Sequence, residues 1–191
     1  EVSNADYGAF CEATGRSAPE SAPWDEAYFT AKPSYPAINV TFEDAEAYCA
    51  WAGKRLPTEE EWEKAARGED RRIYPWGLDP PSGQANHEGA DDGYAETAPV
   101  DALAAGASPY GALNLSGNVW EWTVTSYPAT PQEIADMRTL VRETSGDWRV
   151  LKGGSFVTPR EDPDLRAYMR AGMPAAARNP SLGFRCVQDA D

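Results

Sequence analysis

The residues best suited to chemistry lie in Leu113-Asn114-Leu115-Ser116-Gly117-Asn118-Val119-Trp120-Glu121-Trp122-Thr123, which sets amide side chains and one carboxylate among two indoles. The stretch reads as a loop feeding a strand. Glu121 is flanked in sequence by tryptophan on both sides and needs a partner, because a carboxylate taken out of water is costly unless ion-paired, hydrogen-bonded or metal-bound. Two partners are open to it: an arginine such as Arg185, or a hard cation such as calcium, which takes oxygen ligands. Further oxygen donors, Asn86, Asp91 and Asp92, fall in a Gly- and Pro-rich segment, residues 71–113, that has hardly any helical periodicity. Irregular segments longer than about 15 residues are uncommon without a function or an internal stabiliser. Calcium is a natural stabiliser, although Asp and Asn are equally at home in simple turns.

Other metals fit less well. The single histidine, His87, excludes a His-rich iron or zinc centre on ligand count, and in a Gly/Asp loop its side chain is expected in solvent. Cys11, Cys49 and Cys186 lack the close spacing of a zinc site; they allow at most one bridge, or none if all three are buried thiols. The formal charge of −14, from 31 acidic and 17 basic residues, argues against nucleic acid or an anionic membrane surface as partner and favours cations or a basic protein surface. No apolar run approaches the roughly 18 residues of a membrane span, so direct membrane insertion is not expected.

The elements that position these groups are partly legible. Asn4 caps a predicted helix over 5–14, with Tyr7, Phe10 and Cys11 on one face and Gly15 as its stop. Thr41 opens a second over 42–52, whose apolar face is Ala45, Tyr48, Cys49 and Ala52. Thr58-Glu59-Glu60-Glu61 is a capping box that starts a third helix running to about Arg67. Strands are expected at about 118–125, 149–156 and 182–187, separated by an insertion over 126–147 and a Pro-, Ala- and Arg-rich loop over 158–181. With 191 residues and no internal repeat, the chain reads as one α+β domain over residues 1–191, helices in the N-terminal third and a twisted antiparallel sheet after them.

Five segments, in order, carry a resemblance. They are Asp44-Ala45-Glu46-Ala47-Tyr48-Cys49-Ala50-Trp51-Ala52-Gly53-Lys54-Arg55-Leu56-Pro57-Thr58-Glu59-Glu60-Glu61-Trp62-Glu63, Tyr74-Pro75-Trp76-Gly77, Ser116-Gly117-Asn118-Val119-Trp120-Glu121-Trp122, Lys152-Gly153-Gly154-Ser155 and Leu182-Gly183-Phe184-Arg185-Cys186. Over nearly the whole chain the sequence resembles the formylglycine-generating enzyme, or sulfatase-modifying factor, family. The resemblance implies that family's variant of the C-type-lectin-like fold, low in regular secondary structure. Because the family domain normally starts some residues earlier, it also implies a chain missing its first strands at the N-terminus. It implies calcium, one ion or two: one held by Asn114, the carbonyls of Gly117 and Val119, and Glu121; the other by Asn86, the carbonyl of His87, Asp92 and the carbonyl of Tyr94. A disulfide between Cys49 and Cys186 is implied as well, hence an oxidising, extracytoplasmic compartment, periplasmic or secreted.

The resemblance stops short of catalysis. Family enzymes that oxidise a sulfatase cysteine to formylglycine carry two copper-binding cysteines shortly after the Gly-Gly-Ser-aromatic strand. Residues 153–166 contain no cysteine. Thr158 and Pro163 fall near the two positions, and neither supplies a thiolate to copper(I). No copper is expected and no catalytic residue is assigned. The same region is expected to form a concave face lined by Ser155, Arg160, Asp162, Asp164, Arg166, Tyr168 and Arg170, suited to a polar small ligand or a protein partner, or else a salt-bridged surface loop. The sequence leads to a non-catalytic, calcium-stabilised domain serving as a protein-binding or structural module of a larger extracytoplasmic assembly. The alternative is an oxidative maturation enzyme of the same family whose chemistry does not use the copper cysteine pair; a formylglycine-generating oxidase acting on sulfatases stands third.

Overall fold

The computed structural model describes residues 1–89, 91–138 and 146–189. Helix α1 (Asn4–Thr14) is capped by Ser3 rather than Asn4: Ser3 Oγ accepts the Asp6 N–H, while the Asn4 amide donates to the Lys32 carbonyl at 2.9 Å. Its stop is the expected one, Gly15, at a left-handed φ of 72°. A single turn, α2 (Tyr28–Ala31), carries no side-chain cap and no sequence signal. Helices α3 (Phe42–Trp51) and α4 (Glu59–Arg67) each start on a reciprocal capping box, Thr41 with Asp44 and Thr58 with Glu61. Helices are not confined to the first third. Helix α5 (Pro131–Met137) lies in the predicted insertion, and its signal was present as Thr130-Pro131-Gln132-Glu133, a capping box with proline at the first helical position. Residues 139–145 of that insertion lie outside the described residues. No helix among the described residues is long and apolar enough to cross a membrane.

The sheet comprises β1 (Trp120–Ser126), β2 (Trp148–Lys152), β3 (Ala171–Pro174) and β4 (Leu182–Gly183), in the order β3-β2-β1-β4. Pairing is antiparallel for β1–β2 and β2–β3, as expected, but β4 runs parallel to β1, with Glu121 opposite Gly183. Strand β2 stops at Lys152 instead of continuing to 156, because Gly153 and Gly154 take φ of 103° and 73° and leave the extended region. Strand β3 emerges inside the predicted 158–181 loop.

Alternation along β1 puts Trp120 and Trp122 on one face and Glu121 on the other. Trp122 enters the main core, its Nε1 donating to the Val40 carbonyl at 3.0 Å, among Phe42, Leu56, Leu151, Leu182 and Phe184. The rings of Tyr7, Phe10 and Tyr48 extend this core between α1 and α3, Tyr7 stacked on Tyr48 at 5.8 Å and Phe10 edge-on to it at 5.6 Å. Full burial of such a side chain contributes about 1.5–3 kcal/mol. Cys49 of α3 is bonded to Cys186 beyond β4, with Cα atoms 5.7 Å apart. Cys11 is a buried free thiol.

Candidate functional site

Glu121 is fully buried, and both of its oxygens are engaged. Arg185 donates through Nε to Oε2 at 2.6 Å and through Nη2 to Oε1 at 2.7 Å, while Trp62 Nε1 of α4 donates to Oε2 at 2.6 Å. The parallel pairing of β4 with β1 brings the chain back so that Arg185 faces Glu121. Burial works against the Arg185 charge, but the charge and hydrogen bonds of Glu121, together with the Glu1 carboxylate, raise its pKa above the ordinary value. This is the ion pair that the sequence left open beside calcium. A dication on Glu121 would sit against a guanidinium, and the Asn114 amide is turned to Glu1 Oε2 at 3.0 Å and the Val100 carbonyl at 3.2 Å. As arranged, Asn114, Gly117, Val119 and Glu121 do not fit a calcium ion.

The second set differs. Asn86 and His87 are buried rather than solvated, on a bridge in which Asn86 pairs with Gly117 and Asn118 N–H donates to the Asn86 carbonyl at 2.8 Å. The Asn86 amide nitrogen donates to the Glu96 carbonyl at 2.7 Å and to Asn118 Oδ1 at 3.0 Å, and among the described residues the buried Asn86 Oδ1 has no hydrogen-bond partner. Such orphaned acceptors are rare. Asp92 is aimed by two backbone donors, His87 N–H at 3.0 Å and Tyr94 N–H at 2.9 Å, which draw Asn86, His87, Asp92 and Tyr94 into one loop. A buried side-chain oxygen with no hydrogen-bond partner among the described residues and an oriented carboxylate in the same loop are the kinds of donor that fit calcium. His87 Nε2 likewise has no hydrogen-bond partner among the described residues, with Asp91 Oδ1 3.9 Å away.

Gly117 is what lets the two segments meet. Its φ is 76°, and a Cβ there would collide with the Asn86 carbonyl oxygen. Gly117→Ala is expected to cost about 1–3 kcal/mol from backbone strain, with the collision against Asn86 adding to it. A denaturant midpoint within error of wild type would refute this close approach.

The expected concave face does not form as one surface. Ser155 is buried, its N–H donating to Thr158 Oγ1 at 3.0 Å. Arg160 turns to Asp91 at 3.8 Å, whereas Asp162 caps a short 3-10 turn by accepting from Asp164 N–H at 2.9 Å. Burial, with Asp162 beside it, raises the Asp164 pKa. Arg166 donates to the Tyr168 hydroxyl at 3.3 Å, and Arg170 turns to Glu59 of α4 at 2.9 Å. Arg160 and Arg170 are drawn to two partners outside the loop, Asp91 and Glu59, while Arg166 stays with Tyr168 of the loop itself. Sequence reasoning missed Lys152, which is fully buried at the end of β2 with Nζ 3.3 Å from Glu63 and 3.7 Å from Glu59. The signal was Glu59 and Glu63 one turn apart on α4 and a lone lysine following Val150-Leu151.

The fold is the C-type-lectin-like one of the formylglycine-generating-enzyme type, here with a buried Glu121–Arg185 pair and no cysteine in residues 153–166. The family profile described as "Sulfatase-modifying factor enzyme 1-like domain" matches residues 1–190, and the chain belongs to that family. It is 37% identical over 171 residues to "Inactive C-alpha-formylglycine-generating enzyme 2" of Bos taurus, covering 83% of this chain and 52% of that protein. It is 38% identical over 178 residues to "Formylglycine-generating enzyme" of Thermomonospora curvata, covering 84% and 57%. A shorter match, 48% identical over 131 residues, is to "Hercynine oxygenase" of Mycolicibacterium smegmatis, covering 63% of this chain and 30% of that protein. The chain spans about half the length of the first two. Among solved structures, PvdO from Pseudomonas aeruginosa superposes with a TM-score of 0.75 at 23% identity, covering 96% of this chain and 76% of that one.

Proposed function

We propose that this is a non-catalytic domain of the sulfatase-modifying-factor family, stabilised by calcium and used as a protein-binding or structural module of an extracytoplasmic assembly. The observation that carries the reading is the replacement of the catalytic thiols. The hydroxyl at Thr158 is buried and holds the turn from Ser155, Pro163 opens a 3-10 turn, and the remaining thiol, Cys11, is buried in the α1–α3 core. The Cys49–Cys186 bridge supports an oxidising compartment. Likeness to a relative named as inactive agrees with it. An oxidative enzyme of another chemistry has the hercynine oxygenase likeness in its favour, but this chain carries one histidine and covers less than a third of that relative.

Calcium belongs to Asn86 Oδ1, the His87 carbonyl, Asp92 and the Tyr94 carbonyl, where it would answer the orphaned amide oxygen; one ion, not two, is the form this reading takes. A ligand at 100 times its dissociation constant adds about 2.7 kcal/mol. EDTA should therefore lower the melting temperature by roughly 5–10 °C, excess calcium should restore it, and Asp92→Asn should remove the response. Turnover of a sulfatase-type cysteine peptide to formylglycine with copper and oxygen would overturn the non-catalytic assignment.

A further inference from the structure

A cleft of about 700 Å³ opens beside α4, lined chiefly by Glu59, Glu63, Arg67, Arg71 and Arg170. Its lining holds four cations, the three arginines and Lys64, against the carboxylates of Glu59, Glu60 and Glu63, and Lys152 lies beneath Glu59 and Glu63. The cleft is thus locally cationic on a chain of net charge −14.

Most of these cations are committed. Arg170 donates to Glu59 at 2.9 Å with its guanidinium over the Tyr127 ring, 5.3 Å from the centroid. Arg67 pairs with Glu63 and lies over the Tyr168 ring, also at 5.3 Å, while Lys64 meets Glu69 at 3.2 Å. Guanidiniums fixed between a carboxylate and an aromatic face surrender little rotamer freedom when a ligand arrives. Arg71 is the exception. Among the described residues no carboxylate pairs with its side chain, and its backbone sits at φ 59°, with Arg67 Nη2 donating to the Arg71 carbonyl at 3.0 Å. A left-handed arginine costs about 1–3 kcal/mol and persists only where its surroundings impose it.

We infer that this cleft binds a carboxylate, with Arg71 as the open guanidinium fork and Arg67 and Arg170 as its fixed flanks. The planar bidentate match of guanidinium to carboxylate suits one open fork. Three wall carboxylates oppose a phosphate dianion more than a monoanionic group. The carboxylate can belong to a small organic acid or to a glutamate side chain of a protein partner, and the inference stands independently of the calcium reading.

Calorimetric titration of the whole chain with butyrate, with an end-capped hexapeptide carrying a single glutamate and with inorganic phosphate, at low salt, tests it. At least one carboxylate probe should bind, and Arg71→Gln, at an exposed position, should weaken it about tenfold or more with the melting temperature unchanged. Arg160→Gln, whose side chain faces Asp91, should leave the affinity as it is. The peptide binding more tightly assigns the site to a protein partner, and butyrate binding more tightly assigns it to a metabolite. Failure of both to bind at about 10 mM, phosphate binding more tightly than either, or Arg71→Gln without effect would overturn the inference.

Discussion

Glu121→Gln should lower stability by about 3–5 kcal/mol, the cost of leaving one partner of a buried pair uncompensated, and depress the melting temperature by roughly 10 °C. The glutamine keeps the shape and can still accept from Trp62 Nε1, so the loss reports the charge on Arg185 rather than a cavity. Arg185→Gln should cost nearly as much, because it strands the Glu121 carboxylate with only the indole donor. The double variant should cost clearly less than the two losses added, since the residues share one interaction. This pattern separates the ion pair from a metal site. Were Glu121 a calcium ligand, removing the neighbouring guanidinium would strengthen the ion's hold, and Arg185→Gln would raise stability in calcium. Replacing both residues by leucine should not rescue the fold fully, because Trp62 Nε1 and the Leu113 carbonyl would each lose a partner, at about 1–3 kcal/mol for each buried group left unsatisfied.

What the sequence made legible divides along a physical line. Local chemistry read true: the helix start at Thr41, the capping box at Thr58 and the glycine stop at Gly15 all depend on residues within one turn of each other. So did the need of Glu121 for a partner, because burial and charge follow from its neighbours. Which partner answers it did not follow, since Arg185 arrives only through the parallel docking of β4 on β1. Long-range pairing decided the loop after β2 as well. Arg160, Arg166 and Arg170 are expected from the sequence to line one concave face, yet Asp91 draws Arg160 and Glu59 draws Arg170, while Arg166 stays with Tyr168. Lys152 was hidden for the same reason, because nothing within its own strand announces the two glutamates of α4. The unpaired Asn86 oxygen depends on a bridge to Gly117 across an irregular segment that has no periodicity to read.

Removing the Cys49–Cys186 bridge, by Cys49→Ala with Cys186→Ala or by reduction, should cost about 4–5 kcal/mol if its effect is the loop entropy of the unfolded chain, since it joins residues 137 apart. Urea denaturation of the reduced and oxidised chain measures it directly, and a difference below about 1 kcal/mol would mean that the unfolded chain is already compact enough to make the crosslink redundant. Cys11→Ser separates this from thiol chemistry in general: that residue is not bridged, so its effect should be confined to packing beside Phe10. The bridge also bears on the buried pair. Cys186 follows Arg185 directly and ties it to α3, whose Tyr48 packs on Phe184 at 5.4 Å, so the bridge limits how far the guanidinium can stray from Glu121. Reducing the disulfide in the Glu121→Gln variant should therefore cost less than reducing it in wild type. Strict additivity would instead show that β4 alone holds Arg185 in place.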